Sequence, residues 1–152
     1  MPEFNSRQAA KIAAGTKLSP GETGGVVRSV VLTSPAVAAW AQNDTLASGE
    51  PIPIGSRFLS MSYISHEAFG SSVTIDVGIR NFATKVAIDA DGIAADVAIA
   101  SAGRTLLNNG ALVAAGVESL TTVVSEVYAT FEAANPTDNA QCRIEVFYLS
   151  PD

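Results

Sequence analysis

The side chains able to do covalent or metal chemistry are few. His66 and Cys142 are the single imidazole and the single thiol of this 152-residue chain, and a nucleophile–base pair would need both. Cys142 lies on an alternating segment beside Ile144 and Val146, where a free cysteine behaves as a small hydrophobe. The expectation is a core cysteine and no catalytic pair. One thiol and one imidazole also fall short of a zinc ligand set, and a lone cysteine forms no intramolecular disulfide. Asp89, Asp91, Gly92 and Asp96 follow part of a calcium loop. With Gly92 at loop position 6, Ala87 and Ala98 occupy the positions of two principal ligands. A solvated tight turn at Asp91–Gly92 is the favoured reading. There is no P-loop and no Gly-x-Gly-x-x-Gly fingerprint. Fifteen acids would allow a glycosidase pair, but no spacing brings two of them to one sugar. Trp40, Tyr63, Tyr128 and Tyr148 are what a sugar platform would use. Tyr128 sits on the more polar side of its segment, where exposure and burial at an interface fit equally. No catalytic, cofactor-binding or metal-binding residue is expected.

The elements that would carry these residues are strands. Val73, Ile75, Val77 and Ile79 alternate with Thr74, Asp76, Gly78 and Arg80, the pattern of a half-buried strand. Leu59, Met61 and Tyr63 share one face, with Phe58, Ser60, Ser62 and Ile64 on the other. The stretch Arg57 to Arg80 therefore reads as hairpin-like, turning through residues 66–72 with Gly70 free to take a positive φ. Val26 to Thr33 has valines on both faces, suiting a strand buried on both sides. Pro35 to Gln42 fits a turn or two of helix or an irregular crossing, and residues 43–54 a loop with a short edge strand. Lys85 to Asp89 is a short strand, and residues 93–102 lean towards strand. Asn108 to Gly110 is a turn.

Thr122 to Glu132 places Val123, Val127, Ala129 and Phe131 on one face and Val124, Glu126, Tyr128 and Thr130 on the other. After the turn formers at 135–139, Cys142, Ile144, Val146 and Tyr148 alternate with Arg143, Glu145, Phe147 and Leu149. About eight strands between Gly, Pro and Asn turns, with no long helix, predict an all-β fold: an antiparallel sandwich or barrel. The domain would span 25–152. Residues 1–24 would be an extended N-terminal arm, with a short helix over Asn5 to Ala14 and a break at Pro20 to Gly25.

Charged residues make up 16% of the chain, well below the roughly 25% usual for a soluble domain, and the mean hydropathy is +0.27. Such a surface is suited to burial against partners. The longest apolar runs fall far short of the ~20 residues that span a bilayer, so no membrane partner is expected. The net charge is −6, and an acidic body repels nucleic acid. The arm has the opposite sign, with Arg7, Lys11 and Lys17 against Glu3. Those three cations are the candidate partner-binding residues. The first seventeen residues lack the apolar core of a secretory signal, so synthesis and use on the cytoplasmic side are expected.

Four stretches taken in order resemble one family. They are Pro53 to Leu59 (PIGSRFL), Ser65 to Gly78 (SHEAFGSSVTIDVG), Ala129 to Gln141 (ATFEAANPTDNAQ) and Ile144 to Leu149 (IEVFYL). A Pro-x-Gly entry to a strand, a loop, a Ser-Val-Thr-Ile strand and a terminal hairpin rich in Asn, Pro and Thr are similar to small capsid decoration (cement) proteins of tailed bacteriophages. The resemblance covers roughly residues 52–80 and 120–150. It implies a jelly-roll-like β-sandwich, a homotrimer bound to the major capsid protein on the outer capsid surface of the virion, and neither enzymatic activity nor a cofactor. A lectin-like receptor-binding module of a tail or fibre, and a structural protein of the head–tail joint, are the other readings such a sandwich leaves open.

Overall fold

The structure, a computed structural model, describes residues 10, 12–15, 25–35, 39–114 and 119–151. Among these residues nine strands follow one another: β1 (Val26–Thr33), β2 (Thr45–Ala47), β3 (Arg57–Phe58), β4 (Tyr63–His66), β5 (Thr74–Asn81), β6 (Ala87–Ala98), β7 (Gly103–Leu106), β8 (Ser125–Glu132) and β9 (Cys142–Ser150), with a helical turn α1 (Ala111–Ala114) before β8. They form two antiparallel sheets. One runs β1-β9-β4-β7, with the two-residue β3 added beside β9, and the other runs β2-β8-β5-β6. Setting β3 aside, the pairs β1–β9, β2–β8, β4–β7 and β5–β6 are nested one inside the next. That nesting is the jelly-roll wrap of one long hairpin over itself. The expected all-β sandwich is present.

Period-two alternation does the sorting. Val73, Ile75, Val77 and Ile79 are all buried, as their spacing predicts, and they meet Val127, Ala129 and Phe131 across the sheet. From the other sheet come Val30, Leu32, Phe58, Ile64, Cys142, Ile144, Val146 and Tyr148. The polar turns close the ends of the sandwich. Gly70 does take a positive φ, +107°, and Phe69 beside it is fully buried.

Three expectations are corrected. The stretch Arg57 to Arg80 is no hairpin, because β4 belongs to one sheet and β5 to the other, and residues 67–73 cross between them. A local pattern gives each strand a face but not a neighbour. β1 is not buried on both sides. Among the described residues it is an edge strand with one partner, and Val26, Val27 and Val31 stay exposed. Asp91–Gly92 is not a tight turn, since β6 runs through it. The expected turn chemistry is used instead for bulges: the register of β6 against β5 shifts three times, once between Ile79↔Asp89 and Val77↔Ala94. The main bulge lies over Gly78, where a Cβ would run into the Asp89 and Ala90 carbonyls. Asn109 then clamps the strand, its side chain accepting from Ala95 N–H at 3.0 Å and donating to the Ala95 carbonyl at 2.8 Å. Gly78→Ala is expected to cost about 1–3 kcal/mol through this overpacking, read as a lower denaturant midpoint. An unchanged midpoint would mean that the bulge swings away freely.

Candidate interaction surfaces

Antiparallel register brings His66 directly opposite Cys142, across β4 and β9. Both line a shallow cavity of about 330 Å³ with Thr33, Ser65, Glu67, Gln141 and Arg143. The geometry does not make a nucleophile. Burial pushes the Cys142 thiol up to about 11, against a smaller opposing hydrogen bond with Ser34, so the thiolate is scarce near neutral pH. His66 Nδ1 is 2.9 Å from the Glu67 carbonyl, a backbone contact that orients the ring rather than a relay. Cys142 is the core cysteine that its alternation predicts.

The aromatic side chains follow the burial reading more than that of a sugar platform. Trp40 donates its indole N–H to the Ala140 carbonyl at 3.1 Å and packs on Phe131 with ring centroids 4.7 Å apart. Tyr128 and Tyr148 are buried. Tyr63 is half-buried, donates to Glu145 Oε2 at 2.7 Å, and lies beneath Arg104 at 3.7 Å. Two of these rings are thus buried, and the other two, half-buried, each pack against a neighbour.

Along the strands the two sheets carry opposite charge. The five-stranded sheet holds Arg28, Arg57, Arg104 and Arg143 against Glu145, a net +3. The other sheet holds Asp76, Asp89, Asp91, Asp96, Glu126 and Glu132 against Arg80, a net −5. Lys85, in the turn after β5, moderates this by one. On the outer face of the first sheet, Arg104, Ser65 and Arg143 form one cross-strand row, and Leu106, Tyr63, Glu145 and Val31 the next. Its single acid, Glu145, is already engaged by Tyr63 and by Arg143 at 3.4 Å. Val27, Val31 and Leu106 are exposed there, beside the half-buried Phe147 and Leu149.

On the outer face of the second sheet, Glu126 is fully buried. Burial opposes its charge, but Lys85 and Arg80, each donating to Oε1 at 2.7 Å, hold its carboxyl below the usual range. Arg80 also lies over Tyr128, 5.3 Å from the ring centre. Sequence alone missed this group; its one signal is Arg80 facing Glu126 across β5 and β8, visible only once the register is known.

The four aspartates are less well compensated. Burial pushes Asp76 up, and Asp96 and Asp91 add to this, although Asp96 N–H donates to its Oδ1 at 2.7 Å. Burial, then a hydrogen bond to the Asp91 carboxyl, pushes Asp89 up. Ionising groups shifted this way costs stability as pH rises through the carboxylate range. Among the described residues no three or more His, Cys, Asp or Glu side chains are arranged to hold a metal ion. Arg7, Lys11 and Lys17 lie outside the described residues, as does most of the expected arm.

No family model and no curated protein matches this chain. Solved structures do. A chain of the capsid of Ralstonia phage GP4 is similar at a TM-score of 0.64 and 13% identity, over 84% of this chain and 86% of that one. A chain of the cyanophage Pam1 capsid asymmetric unit is similar at a TM-score of 0.57 and 18% identity, over 99% of this chain and 100% of that one. At such identities the likeness is one of fold, and it runs along nearly the whole jelly roll.

Proposed function

We propose that this chain is a non-enzymatic virion protein: a capsid decoration (cement) protein that binds the major capsid protein on the outer surface of a phage head, as a homotrimer. The observation that carries the reading is the fold likeness to chains in two phage capsids, one of them matched over its full length. The molecule's surface agrees with it. Apolar side chains exposed on β1, β7 and the loops at Ile54, Met61 and Val86 suit a subunit that covers area against neighbours. The catalytic alternatives lose their only thiol to burial, and the lectin-like alternative loses two of its four rings the same way. The arm, with Arg7, Lys11 and Lys17, acts as a basic strap that binds an adjacent acidic capsid surface.

Purified protein added to undecorated heads tests this reading. Saturable binding in hundreds of copies per head is expected, with deletion of residues 1–20 leaving the melting temperature unchanged and weakening attachment, most at low salt. Absence of binding, or binding of one ring's worth of copies at a single vertex, would reject the decoration role.

A further inference from the structure

We propose that copies of this chain associate head to tail, with the arginine-bearing outer face of the β1-β9-β4-β7 sheet of one copy docking on the aspartate-bearing outer face of the β2-β8-β5-β6 sheet of the next. Charge complementarity sets the occupant of each face. Arg104 and Arg143 are exposed in one row on the first face, while Asp91 and Asp96 are exposed on the second, with Asp76 and Asp89 half-buried beside them. Arg143 reaches Glu145 at 3.4 Å, but two arginines against that one carboxylate leave the row net positive. Arg104 is held flat on the Tyr63 ring, which fixes its position before any partner arrives. Among the described residues the crowded aspartates have no cation placed as Arg80 and Lys85 are against Glu126 Oε1.

The apolar residues around the arginines give the contact a dry centre. Four strands at ~4.8 Å spacing and eight residues at ~3.3 Å make a face on the order of 500 Å² in plan. Specific interfaces bury about 800 Å² per partner, so apolar burial on this face is modest and charge pairing sets partner choice and register.

Position decides what such a contact builds. β1 touches β2 at one flank of the sandwich. At the other flank β7 and β6, joined by residues 99–102, are the terminal strands of their sheets. Arg104 is on β7, and Asp89, Asp91 and Asp96 are on β6, so both patches border the same flank. A heterologous contact hinged on one flank turns from copy to copy and closes into a small ring, whereas one centred on opposite faces would stack into a filament. The inference rests on the homotrimer reading, and it adds which surfaces meet.

The test measures mass by light scattering, alongside melting temperature, for three purified full-length proteins: the wild type, Arg104→Glu/Arg143→Glu, and Asp91→Arg/Asp96→Asn. Asparagine is chosen at 96 because the residue has φ +50°, a conformation asparagine tolerates. The wild type is expected at three times 15.6 kDa, dissociating as salt rises from about 50 to 500 mM. Each variant should associate about tenfold or more weakly with an unchanged melting curve of the monomer. Mixing the two variants should restore a heterodimer, because the native basic face of one meets the native acidic face of the other. A wild type that stays monomeric would overturn the trimer reading as well. A trimer indifferent to both variants, or sensitive to only one of them, or variants that fail to combine on mixing, would overturn this face pairing alone.

Discussion

Phe131→Ala is expected to destabilise the protein by about 3–5 kcal/mol, which for a domain of this size is a fall of roughly 10 °C in melting temperature. Phe131 is fully buried on β8. Its ring meets Trp40 at 4.7 Å and stacks on Phe69 at 5.2 Å with a 23° interplanar angle. Trp40 belongs to the connection from β1 to β2, and Phe69 to the crossing from β4 to β5, so one ring ties two inter-sheet connections to a central strand. Truncation leaves a cavity that both crossings border, and neither can collapse into it while its ends are pinned by strands. Equilibrium unfolding in denaturant reads the effect. A loss under about 1 kcal/mol would mean that the crossings close over the gap, and that this aromatic trio is not what joins the layers.

Ile75→Ala is expected to cost about 2–5 kcal/mol, while Thr74→Val is expected to be neutral or slightly stabilising. The two positions are adjacent on β5 and point to opposite faces. Ile75 is fully buried opposite Phe131 and Val97, so alanine removes three carbons from a filled layer. Thr74 Oγ1 is buried without a hydrogen-bond partner, and replacing it with a methyl of the same shape removes a desolvated hydroxyl at no loss of contact. Opposite signs from neighbouring residues are the signature of the register. Equal shifts in the unfolding midpoint would show that β5 has slipped by one residue, which exchanges its two faces.

Much of the fold was legible in the residues. The alternation at 73–80 and at 142–149, with β-branched and aromatic residues on one side, fixed both strands and their buried faces, and the structure keeps those assignments. The same logic failed at β1, where valines on both faces read as double burial. What that composition marks is an edge strand whose outer valines remain available to a partner. It failed again at Asp91–Gly92, where a turn signal serves a bulge, because Gly78 beneath it leaves room for backbone to cross the sheet. The resemblance to decoration proteins pointed to a jelly roll, and the nested strand pairing bears out that architecture.

By itself, then, the sequence determined most of the strands and, at 73–80 and 142–149, which side of each is apolar, with Cys142 on the buried side. These are local properties, set by side-chain period and by the residues within a few positions. Only the tertiary structure decided which strands are neighbours. It placed β4 and β5 in different sheets, set Cys142 opposite His66, and buried Glu126 between Arg80 and Lys85. It also gathered Arg28, Arg57, Arg104 and Arg143 onto one sheet and Asp76, Asp89, Asp91 and Asp96 onto the other. The physical reason is that backbone pairing in a sheet has no sequence code of its own. Any two half-buried strands can pair, and the choice is made by closing one shared core around all of them at once.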